Sequence, residues 1–382
     1  MKRFAGFVAI PFVRTAATVL CGFAGMAAAQ SDAARDLYVT SATVSTAVPG
    51  VHTYAAPPEG FNKLEASDEE LAMYGLPPRP PDKTSPAYKD WVRAMSVPFH
   101  MVNTFKEMPI SAGPARPAHG PAAMITAGPT RFNSNNWSGS AVTNTATKWS
   151  TGNFGYVYQV WNVPVAQPPF GAPCSDGPWY QVSWDGLDGA FGKQGDVVQG
   201  GSLSYTDGGS ACGGSGPVYY AWVEWFPSYS ILFAFNVNPG DDMYVVSYDT
   251  KGGTNPGNVF VEDITTQTSA SASLTYKSGP PEVGNSAEWI VERPCCLVGS
   301  TPLPLTNYIY DMFDDTFASN VKGTITYYAG STATTTQDIF MYDDSGANVI
   351  SEPLGIGSAG FQGRYSIWFS DNTCAYSGGC TP

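Results

Sequence analysis

The run Val218-Tyr219-Tyr220-Ala221-Trp222-Val223-Glu224-Trp225-Phe226-Pro227 decides how the chain is read. It is rich in Val, Tyr, Trp and Phe and ends at a turn-forming Pro, the pattern of a strand. Alternation sets Tyr220, Trp222, Glu224 and Phe226 on one face. A second run, Ala287-Glu288-Trp289-Ile290-Val291-Glu292, sets Glu288, Ile290 and Glu292 on one face and Trp289 and Val291 on the other. An acid among aromatic residues on a sheet is desolvated, which suits it to proton transfer. The plainer alternative is a pair of acids on a solvated face.

Similar runs recur at Tyr156–Val163, Trp179–Trp184, Met243–Tyr248, Asn258–Thr265, Gly323–Tyr328, Ile339–Tyr342 and Arg364–Phe369, separated by Gly, Asn, Asp and Pro. Helical periodicity is nearly absent. Strands at this spacing without intervening helices indicate an antiparallel sandwich or barrel, and no fixed repeat points to a propeller. Aromatic residues make up 13% of the 382-residue chain and charged residues another 13%, which excludes a disordered polymer. The 41 Gly and 31 Pro exclude a long helical bundle. A net charge of −13 argues against a nucleic-acid partner.

The chain divides into three parts. Residues 1–29 carry Lys2, Arg3 and Arg14 before an Ala-rich apolar stretch ending Ala27-Ala28-Ala29, which reads as a secretory signal. Export to an extracellular or periplasmic space is therefore expected, with no later membrane span. Residues 30–127 form a leader, mostly irregular, with two short helices. Ser67 and Glu70 make a capping box for Ser67–Tyr74, with Gly75 as terminator, and Ser85-Pro86 open a helix through Met95. Pro77–Pro81 is extended, and Met108–Pro129 reads as a Pro/Ala/Gly linker. Residues 128–382 form the β domain, and nearly all the negative charge lies there: residues 126–382 hold 22 Asp+Glu against 8 Lys+Arg. Six cysteines follow the signal, an even number that suggests disulfides. Cys374 and Cys380 are expected to close a short loop. Adjacent Cys295 and Cys296 are expected to take different partners, such as Cys174 and Cys212.

The three histidines, His52, His100 and His119, all precede residue 128. The β domain therefore has neither a Ser-His-Asp or Cys-His nucleophile nor a His-based zinc site. No C-x-x-C pair supports a thiolate metal site, and no cofactor is expected. A Ser-Lys dyad finds no motif around Lys148, Lys193, Lys251, Lys277 or Lys322. Asp344-Ser345-Gly346 is the only Asp-Ser/Thr-Gly tripeptide, where an aspartic protease needs two, and it reads as a hairpin turn. Carboxylates, amides and aromatics remain. A domain with few basic groups loses little ion pairing on acidification, which fits work at low pH.

Six strings in fixed order resemble the glutamic peptidases, or eqolisins: Asn136-Trp137-Ser138-Gly139, Ser183–Gly189, Val197-Val198-Gln199-Gly200-Gly201, Ala221–Pro227, Gly240-Asp241 and Ala287–Glu292. The resemblance implies a concanavalin-like or jelly-roll sandwich of two curved antiparallel sheets. It also implies an acid-active endopeptidase, made as a precursor, with a Gln/Glu dyad at Gln199 and Glu292. Trp137, Trp184, Asp188, Glu224 and Trp225 match positions lining or supporting the cleft, whereas Glu288 is in the motif but outside the dyad. Asp185, Gly200-Gly201 and Arg293 depart from the family pattern. The glycines are expected to loosen the loop at Gln199, and Arg293 to point away from Glu292. Polypeptides would be the substrates, and the protein a monomer. The leader would cover the cleft as an inhibitor, with basic residues such as Lys83, Lys89, Arg93, Lys106 and Arg116 pairing with cleft carboxylates. Two alternatives use the same side chains. One is a glycoside hydrolase with Glu224 and Glu292 as acid and base, and the other a non-catalytic carbohydrate-binding sandwich with Trp137, Trp184 and Trp222 as stacking surfaces.

Overall fold

Period-two alternation makes strands with two usable faces, and most of this chain is built that way. The computed structural model describes residues 43–98, 100–108, 110–112, 130–190, 196–228, 230–249, 257–275, 282–295, 301–331, 335–354 and 365–369. The predicted signal, residues 113–129 of the linker, and Cys296, Cys374 and Cys380 lie outside the described residues.

The N-terminal segment carries β1 (Thr43–Ser45), β2 (Val51–Tyr54), helix α1 (Asp68–Met73), helix α2 (Pro86–Ser96), β3 (His100–Met101) and β4 (Phe105–Met108). The domain opens with β5 (Thr130–Ser134), β6 (Trp137–Thr143), β7 (Phe154–Asn162), β8 (Trp179–Leu187), β9 (Val197–Thr206) and β10 (Val218–Phe226). It continues through β11 (Ser230–Asn236), β12 (Asp242–Tyr248), β13 (Gly257–Asp263), β14 (Thr268–Leu274) and β15 (Ser286–Glu292). The C-terminal strands are β16 (Tyr310–Asn320), β17 (Thr326–Tyr327), β18 (Thr336–Tyr342), β19 (Val349–Leu354) and β20 (Tyr365–Phe369).

The expected sandwich is present. A front layer runs β11–β10–β9–β8–β15–β6–β18 and a back layer β14–β13–β12–β7–β16, with antiparallel pairing throughout both. Strands β19 and β20 link β18 to β16, so the layers are two halves of one hydrogen-bonded sheet. Between the layers lies an apolar core that includes Val157, Trp161, Val198, Val223, Trp225, Val245, Val259 and Trp289.

Both predicted helices form, with the predicted caps. Ser67 Oγ accepts from the Glu70 amide and Glu70 Oε2 accepts from the Ser67 amide. Ser85 Oγ caps α2 by accepting from the Tyr88 amide. The segment is less irregular than expected, because its strands extend the sheet edges: β2 and β3 pair with β14, and β4 pairs with β11. Its helices cover the outer face of the back layer, where Leu71, Leu76, Trp91 and Met95 pack with Tyr158, Tyr244, Phe260 and Phe317. Arg93 pairs with Asp242, and Tyr158 donates to Asp90.

Two expectations are corrected. Cys174 bonds to Cys212, not to Cys295 or Cys296. The antiparallel register of β8 and β9, with Trp179 opposite Thr206, brings the segments flanking that hairpin together. The strand expected over Gly323–Tyr328 shrinks to Thr326–Tyr327, because Asn320 Oδ1 accepts the amides of Thr324 and Ile325 and folds that stretch into a turn.

Candidate active site

Strand register decides which side chains meet on the outer side of the front layer, away from the core between the layers. Directly paired residues of antiparallel strands share a face, as do residues two apart on one strand. Gln199 pairs with Glu224 on one side and Gly186 on the other, and Gly186 pairs with Glu288. Two residues along, Trp222, Gly201, Trp184 and Ile290 form a second row. Two further along, Leu203, Val182, Glu292 and Trp137 form a third. Gln199, Glu224, Glu288 and Glu292 thus share the front face with Trp137, Trp184 and Trp222.

Gln199 is the third residue of the ten-residue strand β9, paired on both sides. The expected loose loop is absent, since Gly200 and Gly201 lie inside that strand. A Cβ on Gly201 would meet Ser183 O at 1.9 Å, so glycine there reflects close backbone approach rather than mobility. At Gly186 a Cβ would come within 2.8 Å of the Trp184 ring and 3.1 Å of Gln199 Cβ, so its absence lets these two side chains lie close together.

Glu292 closes β15. Trp184 Nε1 donates to its Oε2 at 3.0 Å, and Asn136 Nδ2 donates to its Oε1 at 3.0 Å. Trp137 packs edge-on against Trp184, with centroids 5.0 Å apart. The carboxylate is therefore held by two N–H donors on a rigid aromatic support. Arg293 turns elsewhere, as expected. Its guanidinium donates to the carbonyls of Asn135, Pro302 and Leu303 and to Asp344. The Arg293 amide donates to Asn136 O, and its guanidinium bond to Asn135 O braces the turn that carries Asn136. Asp344 itself sits in the hairpin turn between β18 and β19, as predicted.

Glu224 is fully buried and accepts from Ser230 Oγ at 2.7 Å, from the Ala112 amide at 3.0 Å and from Ser111 Oγ. Burial pushes its carboxyl up to about 8 against these three hydrogen bonds. Glu288 is likewise pushed well above the usual carboxylate range by burial. Gln199 Nε2 donates at 2.5 Å to the carbonyl of Ala112, while its Oε1 has no partner among the described residues. Ile110 and Ala112 belong to the same apolar cluster as Trp137, Trp184 and Trp222. The N-terminal segment thus lies on this face with three uncharged residues, Ile110, Ser111 and Ala112. Arg93 makes its ion pairs with Asp90 and Asp242, Asp242 belonging to the back layer, and Arg116 lies outside the described residues.

Two predicted residues act from behind the face. Trp225 points into the core between the layers, where its Nε1 donates to Asp196 Oδ2 at 3.2 Å. Asp188, at φ 66°, accepts the amides of Val283, Gly284 and Asn285 and so fixes the chain entering β15. Burial raises its carboxyl to about 6 in spite of those bonds. Asp185 also faces inward, accepting from Ser247 Oγ at 2.6 Å. Among the described residues no three His, Cys, Asp or Glu side chains are grouped to hold a metal ion.

Asn136, Ser230 and the Ser111–Ala112 pair were not singled out from sequence as site residues. Asn136 heads one of the quoted strings, but it meets Glu292 from 156 residues away, a separation that no local period signals.

The peptidase A4 family model matches residues 135–346, and no curated protein matches the chain. Among solved structures, scytalido-glutamic peptidase with a transition-state-analogue inhibitor is 21% identical, with a TM-score of 0.47 over 62% of this chain and 98% of that one. The eqolisin SCP-B in complex with a tripeptide is 18% identical, with a TM-score of 0.44 over 62% and 98%. Aspergilloglutamic peptidase from Aspergillus niger is 22% identical, with a TM-score of 0.40 over 50% and 99%.

Proposed function

This chain belongs to the peptidase A4 family and is a glutamic endopeptidase, and we propose that it hydrolyses peptide bonds with a dyad of Glu292 and Gln199. Hydrolysis without histidine or metal needs a base for water and a donor for the developing oxyanion. Glu292 takes a proton from water and later passes it to the leaving amine. The Gln199 amide orients that water through Oε1 and stabilises the oxyanion through Nε2. An amide does not titrate, so the donor persists in acid. Asn136 and Trp184 position the carboxylate, and Glu224 binds the backbone of the peptide.

The observation that carries this reading is the hydrogen bond from Gln199 Nε2 to a peptide carbonyl on the face that also bears Glu292. A glycoside hydrolase would give Gln199 no such task. Burial raises the carboxyls of Glu224 and Glu288, so both are protonated in acid, where the untitratable Gln199 amide also keeps its donor. Residues 1–29 direct export, residues 30–127 act as a propeptide covering the site, and the mature enzyme is a monomer.

The test is digestion of a denatured protein and a polysaccharide panel from acid to neutral pH. Protein alone is cleaved, and at acid pH. Glu292→Gln loses roughly 10²–10⁴-fold in kcat, and Gln199→Ala roughly 10²–10³-fold. Undiminished proteolysis by Glu292→Gln overturns the dyad.

A further inference from the structure

Resting on that reading, we infer that the site selects polypeptides carrying a hydroxyl residue, Ser or Thr, immediately before a small residue, and that Glu224 is the group that reads the pair. The stretch Ile110–Ala112 displays what a peptide meets on this face. The Ser230 amide donates to Ile110 O at 3.1 Å. Ser111 and Cys295 exchange both backbone bonds of an antiparallel bridge, at 2.7 and 2.8 Å. Gln199 Nε2 donates to Ala112 O. On the peptide these contacts use main-chain atoms alone, so they hold an extended chain without choosing its sequence. Choice among incoming polypeptides has to come from side chains.

Glu224 supplies that choice with its two carboxyl oxygens. Oε2 accepts the amide of Ala112 at 3.0 Å, and Oε1 accepts from Ser111 Oγ. One carboxyl group thus spans a side-chain hydroxyl and the backbone amide that follows it. Every residue but proline offers the amide, whereas the hydroxyl belongs to Ser and Thr. Glu224 is held against the peptide, since it is fully buried and Ser230 Oγ donates to Oε2 at 2.7 Å. Ser230 places both partners at once, its amide on the peptide and its hydroxyl on the carboxyl group. Ser111 Oγ is the partner of Oε1 among the described residues, so a peptide with Ala at this position leaves a buried oxygen unmet.

The chemistry of the pocket suits a hydroxyl rather than a cation. Burial pushes the Glu224 carboxyl up to about 8, so in acid it is neutral and both gives and accepts a hydrogen bond. A lysine there finds no carboxylate to pair with. The following position is set by volume. Ala112 has no exposed surface and shares its apolar cluster with Trp184 and Trp222, so the space takes a side chain of about methyl size. Gln199, which stabilises the oxyanion in the proposed reaction, meets the carbonyl of this same residue. The small residue therefore carries the carbonyl that water attacks, and the hydroxyl residue stands one place before it.

The experiment acidifies the full-length chain and measures kcat/KM on synthetic peptides, with digestion of a denatured protein followed in parallel. One series places Ser, Thr, Ala, Val or Lys before a fixed Ala, and a second follows a fixed Ser with Ala or Phe. Mass spectrometry of the products locates each cut. Ser is expected to exceed Ala, and Thr its isostere Val, by about tenfold in cleavage after the small residue, with Lys no better than Ala. Phe in the second series lowers the rate about tenfold or more, as overpacking requires. Glu224→Ala slows every peptide and brings the Thr-to-Val ratio near one, whereas a purely structural defect would slow all peptides and keep the ratio. Equal rates for Thr and Val with the unaltered chain overturn the inference, whether or not Glu224→Ala folds, and so does a ratio that survives in Glu224→Ala. Digestion of the denatured protein in those cases leaves the peptidase reading intact. If neither the denatured protein nor any peptide is cut, the peptidase reading fails and the inference with it.

Discussion

The two outer faces of the sandwich are covered by one N-terminal segment but by opposite physics. On the back layer, Leu71, Leu76, Trp91 and Met95 bury themselves among tyrosines and phenylalanines. On the front layer, three residues settle through hydrogen bonds to Gln199, Glu224 and Cys295. Apolar burial is non-directional and scales with area, so the back face supplies most of the hold. The front contact is small and directional, and its strength depends on the chemical state of buried carboxyls. Tight docking and chemical readiness are thereby assigned to different surfaces.

The largest expected effect probes the acids buried on and between the two layers. Burial raises Asp188 to about 6, Asp196 to about 7, Asp311 to about 7 and Glu224 to about 8. Unfolded carboxyls titrate near 4, so the folded state binds the extra protons, and each unit of difference is worth roughly 1.4 kcal/mol. Their contribution is complete below about pH 4 and is lost as pH rises through about 6–8. Melting temperature is therefore highest in acid and falls toward neutrality, and a curve flat in pH, or one rising with it, breaks the contrast.

Next in size is the apolar hold. Trp91 is fully buried, and Trp91→Ala should cost the full-length chain roughly 3–5 kcal/mol in denaturant unfolding at neutral pH. A loss below about 1 kcal/mol would show that the back face is not the anchor. Ser111→Ala removes one donor to Glu224 and should weaken the front contact by about 1–3 kcal/mol. Hydrogen exchange at the Ala112 amide reads this locally, and unchanged protection there contradicts it. Arg93→Ala tests the ion pair with Asp242, whose arginine is 41% exposed, and should change stability by no more than about 1 kcal/mol. A larger loss would move part of the docking from apolar area to charge.

Much of the fold was legible locally. Val218–Phe226 is a strand with the predicted bounds, and Ser67, Ser85 and Pro86 cap and open the helices where their side chains require it. Gln199 and Glu292 stand out as candidates because their strings are ordered and specific. Trp225 was harder to place, since alternation assigns it a face opposite Glu224 but does not say which face is the interior. The disulfide partner of Cys174 was not legible either, because it follows from the register of β8 on β9.

Composition and short-range pattern by themselves determined an acidic all-β domain without histidine, its helix caps and its chemically suited side chains, because these depend on residue type and on neighbours a few positions away. Only the tertiary structure decided that Asn136 and Trp184 grip Glu292, that Arg293 braces a turn, and that Ala112 meets Gln199. Those contacts join residues up to 158 positions apart, and their register is set by the packing of both layers at once.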